Sequence, residues 1–410
     1  MQPDSPSPDA IPASTLVALG LAGFCAFLNV YVTQPLLPLF REVFGISSAR
    51  AALTVSAPTL AVALASPFIG AVADRFGRRR VIVTSLFLLS APTLLAATAR
   101  DVDQLIAWRF AQGLAVPGIY AVGIAYISEA CGGAGMARGM AALVTGNVLG
   151  GFCGRALSGL VGEHLGWRAV FVALALLTFA GAAVTWRSLP KQPARRLRGQ
   201  PGPREAVRRL GPQLVTPKLI ATYAVGFNVL FSQVAIFTYV TFHLAAPPFR
   251  LGAAAISSIF VVYLVGAVIT PFAGRWIDRV GSRRALAVVL AAAIAGGGLT
   301  LLPALSAVAL GLALCCTAVF VSQSASTAYL QSAAAPEARS TAAGIYVSCY
   351  YLGGAAGGIL PAVAWHLGGW PACVGLVALV QLGTIALAFR YWSGRPTPAG
   401  RVAPIAAEGV

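Results

Sequence analysis

"PFIGAVADRFGRRR", residues 67–80, sets one acid and four arginines between two long apolar runs, and residues 271–284 repeat the arrangement as "PFAGRWIDRVGSRR". Displaced by 204 positions, the two segments agree at eight of fourteen places, among them Gly70/Gly274, Asp74/Asp278, Arg75/Arg279, Gly77/Gly281 and Arg79/Arg283. A charged turn that recurs at such a distance implies that the apolar runs around it recur too.

A helix needs about 20 apolar residues to cross the hydrocarbon layer. Twelve runs meet that length, at 14–40, 49–73, 81–99, 103–128, 139–163, 167–189, 218–243, 253–274, 284–304, 306–333, 340–366 and 369–392. Only 10% of the 410 residues are charged, 58% are hydrophobic and the mean hydropathy is +0.80. A water-soluble domain carries about 25% charged residues, so a soluble fold is excluded. The period-two alternation of a membrane β-barrel is absent.

The net charge of +17 would suit nucleic acid, but its distribution does not. With both termini in the cytoplasm, the outer loops hold Arg41, Arg50, Arg100, Arg168 and Arg250, and Arg109 and Arg155 fall within spans. The other 22 of 29 basic residues lie inside, which is the positive-inside pattern and argues against a nucleic-acid partner. The linker 190–217 and its edges carry eight basic residues against Glu205, which suits topology and anionic headgroups. The N-terminal residues 1–13 lack the basic start of a secretory signal and read as a cytoplasmic tail, as do residues 393–410. Six of seven cysteines lie in apolar spans and Cys131 in an inner loop, so no disulfide framework is expected. His164, His243 and His366 are too scattered for a metal site.

The repeat extends beyond the loop. "NVYVTQ" at 29–34 recurs as "NVLFSQ" at 228–233, and "LGGFCGR" at 149–155 as "LGGAAGG" at 352–358, with Trp167 then falling on Trp370. The expected fold is an all-α membrane protein of twelve helices in two pseudo-twofold-related six-helix bundles, 14–189 and 218–392. Such parallel halves bind a solute between them near the midplane.

Three motifs carry a resemblance. Gly70 to Arg80 resembles the loop between the second and third spans of the major facilitator superfamily. "LIAWRFAQG" at 105–113 is similar to its fourth-span motif, with Arg109, Gln112 and Gly113 in place. "GNVLGGFCGR" at 146–155 resembles the glycine-rich fifth-span motif of its exporters, with Gly151 where those exporters usually have proline. Among subgroups the chain looks closest to the arabinose-efflux-like and drug–proton antiporter branch of bacteria. The resemblance implies an inner-membrane secondary transporter that exports small organic solutes or drugs in exchange for protons. The sequence holds no nucleophile-and-base pair, metal cluster or nucleotide loop, so no covalent chemistry and no cofactor are expected, and a monomer is the expected working unit.

Asp74 sits at the negative end of its own helix, so its partner should come from elsewhere. Arg78 across the turn at Gly77 is one candidate and the positive N-terminus of a neighbouring helix another. The resemblance implies the second, an interdomain latch of Gly70, Asp74, Arg75, Gly77 and Arg78, with Asp278 and Gly281 as its weaker copy. Arg109 lies ~9 Å below the outer surface, counted from Asp103, and Arg155 ~22 Å along its helix from Met140. A buried cation costs about 2.5–3.5 kcal/mol by insertion scales and needs partners. For Arg109 the resemblance implies proton coupling or a hold on first-span backbone and polar groups, with Asn29, Thr33 and Gln34 as acceptors by depth. The alternative is a purely structural hydrogen-bond hub, and Gln112 is a further coupling or cavity candidate. Arg155 has no mid-membrane acid to neutralise it. It either binds an anionic or hydroxyl-rich substrate group or snorkels to the interface. Gly146, Gly150, Gly154, Gly353 and Gly357 make smooth helix faces for close packing.

Asn29, Gln34, Asn147, Asn228, Gln233, Tyr263, Tyr346 and Tyr350 are polar near mid-depth and are the substrate-site candidates. Amides and phenols without acids suit a neutral or anionic organic molecule. Proton-coupled exporters commonly hold an acid in an early span where this chain has Asn29, which leaves Glu129 and Asp103 as carriers. The rival within the class is an importer of an organic anion, and the rival from another class a non-transporting membrane sensor. Neither tail supplies the output domain a sensor would need.

Overall fold

The computed structural model describes residues 12–130, 133–190, 211, 214–335 and 338–392; the expected tails, most of the basic linker and Cys131 lie outside the described residues. The first span is Ala13–Val30, continued after a break by the turn Gln34–Leu36 and the helix Leu37–Phe44. The next five spans are Ser48–Phe76, Arg78–Ala96, Val102–Ala130, Gly133–Leu165 and Trp167–Ser188. The seventh is Pro217–Ala245, the eighth is split into Ala253–Ile259 and Val262–Val280, and the ninth and tenth are Ser282–Leu299 and Leu305–Ala333. The helix Arg339–Tyr391 bends at Gly368 and Gly369 and supplies the eleventh and twelfth. Ten helices among the described residues are long and apolar enough to cross a membrane. The broken eighth span and the doubled last helix complete the twelve.

Two turns show why the chain reverses where it does. Gly77 ends the second span and opens the third at φ 88°, and Gly281 repeats the turn at φ 84°. That region is open to glycine and strained for other residues, so the spacing of the charged motif is fixed by backbone conformation. Arg79 then donates to the carbonyls of Trp186 and Leu189 at the end of the sixth span, and Arg283 to that of Trp392 at the end of the twelfth.

Glycine faces set the register inside each bundle. A Cβ on Gly150 or Gly154 would strike the Phe24 or Leu28 carbonyl of the first span. On Gly353 or Gly357 it would strike the Phe227 or Phe231 carbonyl of the seventh. Gly146 lies equally close to the Gly20 carbonyl, so each of these glycines lets two helices approach closely. Both sets of contacts are related by 203 positions. Asn29 donates to Thr178 at 2.9 Å and Gln381 to Ser232 at 3.4 Å, and these pairs are also 203 apart. The counterpart of Asn29 is therefore Ser232, whereas the matching letters at 29–34 and 228–233 pair it with Asn228, one helical turn away. Four residues is close to 3.6 per turn, so both registers leave a polar side chain on nearly the same face, and packing chooses between them.

The first span was expected to run unbroken over 14–40. It breaks after Val30, where Pro35 lacks the N–H that the helix ladder would need. The carbonyls left unpaired there are taken up from another span, as described below.

Candidate functional site

The end of the molecule bearing Arg75 and Arg78–Arg80 is called here the basic end, and the opposite one the far end. Contacts between the two bundles gather at the far end. Gly358 of the eleventh span meets Ser56 and Ala52 of the second, and Gly354 lies against Thr59. Gly159 of the fifth span packs on Ser257 and the Ala253 carbonyl of the eighth. Glu163 accepts from the Ala254 N–H at 2.6 Å, and the Arg41 guanidinium lies 5.8 Å from the Phe242 ring. At the basic end the mood reverses. Asp74 is exposed, 3.6 Å from Arg78, which also pairs with Glu129 of its own bundle. Gly70, Gly274 and Gly344 have no neighbour at their Cβ positions within 4 Å. Among the described residues, open space therefore adjoins the second, eighth and eleventh spans at these glycines.

Arg155 occupies the middle of the far-end seal, 1% exposed. Its guanidinium carbon lies 4.7 Å from the Tyr31 ring, 5.2 Å from Phe260 and 4.3 Å from Tyr263. Nε donates to Gln34 Oε1 at 2.8 Å and Nη1 to the Gly151 carbonyl at 2.6 Å, while Nη2 is buried with no hydrogen-bond partner among the described residues. Gln34 in turn donates to Thr238 across the bundles at 3.2 Å, and Gln233 to the Tyr263 hydroxyl at 3.2 Å. Four sequence candidates, Arg155, Gln34, Tyr263 and Gln233, therefore form one chain of contacts. Snorkelling is overturned, because the side chain ends on buried rings of both bundles and not at an interface.

The symmetry-related position shows what the arginine changes. Gly358 is 203 residues on and lets the second span approach closely at Ser56. Ser56 itself corresponds, at 204, to Phe260, the ring beneath Arg155. There the eighth span breaks, with Phe260, Val261, Tyr263 and Leu264 making three-residue-back bonds in place of the helical ladder. Arg155 thus sits between two discontinuous helices, the first and the eighth. Discontinuous helices at mid-depth are where transporters place solute and ion sites.

Arg109 is fully buried and acts differently. It donates to the Thr54 carbonyl at 2.9 Å, to those of Asn29 at 2.7 Å and Val30, and to the Gln112 side chain. Two of those carbonyls are the orphans left where the first span ends. Gln112 donates to Thr93, which donates to Asn29 Oδ1 at 3.0 Å. Arg109 and Gln112 thus form one buried hydrogen-bond hub. Of its three expected acceptors only Asn29 serves, and through its backbone. Thr33 bonds the Thr54 carbonyl, and Gln34 turns to Arg155.

The remaining candidates divide. Tyr350 stacks on Tyr346 at 6.4 Å and meets Tyr351 edge-on at 5.3 Å. Tyr346 pairs with Ser326 at 2.7 Å. Asn228 accepts from Ser232, and its Nδ2 is buried without a partner. Asn147, in the amide orientation that satisfies both of its ends, donates to the Gly23 and Leu143 carbonyls at 3.2 Å each. Asn29 and Asn147 are thus spent on packing within one bundle. Asp278 is exposed, and Ser282 stands where the first copy has Arg78, so no matching pair forms. Glu129 and Asp103 are held in ion pairs with Arg78 and Arg50.

The sequence matches the Major Facilitator Superfamily over residues 19–358, most of the chain. The chain belongs to that superfamily. It is 28% identical over 366 residues to the uncharacterized MFS-type transporter YybF of Bacillus subtilis, covering 88% of this chain and 89% of the relative. It is 28% identical over 378 residues to the inner membrane transport protein YnfM of Escherichia coli, covering 89% and 87%. The crystal structure of a bacterial homologue of the human lysosomal transporter Spinster, in an inward-facing and occupied conformation, superposes with a TM-score of 0.72 at 18% identity. That alignment covers 94% of this chain and 98% of the other. As a superfamily member the chain is a multi-pass membrane transporter of small molecules.

Within this superfamily fold, sequence reasoning missed Tyr31, Thr238, Phe260 and Glu163. Tyr31 lies inside the quoted motif at 29–34 and gave a weak signal, and Thr238 lies five residues past the motif at 228–233. Phe260 and Glu163 gave none, since their roles arise only where the fifth span meets the eighth.

Proposed function

We infer that this transporter works by alternating access between the bundles 14–189 and 218–392 and exports small organic solutes across the bacterial inner membrane by proton antiport. The observation that carries the reading is the uneven seal. Gln34–Thr238, Arg155–Tyr263 and Glu163–Ala254 bridge the far end, while Asp74 at the basic end stands exposed beside Arg78. With the basic end in the cytoplasm, as the positive-inside pattern places it, this is the inward-facing state. Asp74 and Gly77 would then engage the other bundle only when the seal moves to the cytoplasmic side. Export as the direction draws on the fifth-span motif, whose glycines pack the first span. Arg155 Nη2 and the tyrosines around it would meet the solute once the far end opens.

Everted vesicles test the direction. Under an inward-acidic gradient, an exporter accumulates solute inside them, and accumulation only in right-side-out vesicles would overturn export. A second reading is favoured by one observation: Arg155 is a buried cation with no acid beside it among the described residues, which suits uptake of an organic anion. The same pair of vesicle measurements separates the two.

A further inference from the structure

The arginines of the opening motif differ in what they hold. Arg78 is bound to Asp74 and Glu129, and Arg79 to the carbonyls of Trp186 and Leu189. Arg80, the third of the run, is exposed, and its guanidinium has no hydrogen-bond or ion-pair partner among the described residues. It opens instead on a groove of about 670 Å³ on the outer face of the first bundle, between the second, third and fourth spans. Apart from Arg80 the walls are nearly all apolar, with Val72 and Phe76 beside it and Leu88, Leu95, Ala111 and Leu114 beyond. The one hydroxyl next to Arg80, that of Thr84, turns back to the Arg80 carbonyl at 2.7 Å. From Arg80 to Leu95 along the third span is ~22 Å at 1.5 Å per residue. One leaflet of hydrocarbon is about 15 Å deep, half the core thickness.

We propose that this groove is a binding site for an anionic glycerophospholipid of the leaflet at the basic end, its phosphate on Arg80 and one acyl chain along the third span. A chain entering beside Arg80 keeps protein contact over its full depth in the leaflet. A free cation at the mouth of an apolar trough selects an amphiphile with a negative head, and the cytoplasmic leaflet supplies such lipids. Placing the phosphate on Arg80 also ties the lipid to the turn at Gly77, two residues from Arg78 and its bond to Glu129.

The test uses the full chain in mixed micelles or nanodiscs containing equal phosphatidylglycerol and phosphatidylcholine, with retained lipid read by native mass spectrometry. The wild-type protein should retain phosphatidylglycerol preferentially. Arg80→Ala should lower that preference about fivefold, the effect of one basic residue at an anionic surface. Arg80→Lys should keep it. Ala111→Trp, which fills the trough and leaves Arg80 in place, should lower retention of both lipids. Unchanged preference in Arg80→Ala, or unchanged retention in Ala111→Trp, overturns the proposal. So does full displacement of the lipid by glycerol phosphate, which has the head and no chain. A neutral hydrophobic solute that displaces the lipid in wild type and in Arg80→Ala alike would reassign the groove to that solute. Each readout is retained lipid, so a failed transport assay leaves it standing.

Discussion

Tyr263 offers the sharpest test of the seal around Arg155. Its ring is the nearest of the three to the guanidinium, at 4.3 Å, and it comes from the opposite bundle. Tyr263→Leu keeps an apolar side chain of useful size and removes the π face. Tyr263→Phe keeps the face and removes only the hydroxyl that Gln233 donates to at 3.2 Å. A desolvated cation–π contact is worth about 2 kcal/mol, and Arg155 is 1% exposed, so the desolvated figure applies. At 1.4 kcal/mol per tenfold, the leucine variant should move the equilibrium about 30-fold away from the far-end-closed state. The phenylalanine variant should shift it little. Ser257, 2% exposed against Gly159, is a reporter: as cysteine, in a background lacking the native cysteines, it should be alkylated from the far side only when the seal opens. Faster alkylation in Tyr263→Leu than in Tyr263→Phe supports the reasoning. Equal rates in the two would refute it, because then the π face contributes nothing to closure.

Three more outcomes are expected. Arg109→Lys should lower the thermal unfolding temperature in detergent, since an ammonium cannot reach the carbonyls of Asn29, Val30 and Thr54 together, and each one stranded costs about 1–3 kcal/mol. An unchanged temperature would mean that water or another donor serves those carbonyls. Gly150→Val and Gly353→Val should each destabilise by about 1–3 kcal/mol, because their Cβ atoms meet the Phe24 and Phe227 carbonyls. If thermal unfolding is altered by only one of the pair, the 203-residue register is wrong for the other. Asp74→Asn should impair flux in proteoliposomes while leaving expression and folding intact. Undiminished flux would remove the latch.

The twelve crossings, the duplication and the turns at Gly77 and Gly281 were legible from the amino-acid letters alone. Each depends only on local composition and on backbone conformations that few residues adopt. The letters also marked Arg109 and Arg155 as costly cations that required partners. The identity of those partners emerged only from the packed helices. Arg109 caps carbonyls about eighty residues away because the first span ends at Val30, and Arg155 rests on rings brought by a span of the other bundle. The register of the halves was decided there too, since letters one helical turn apart look alike in sequence while a glycine fits a facing carbonyl in one register only.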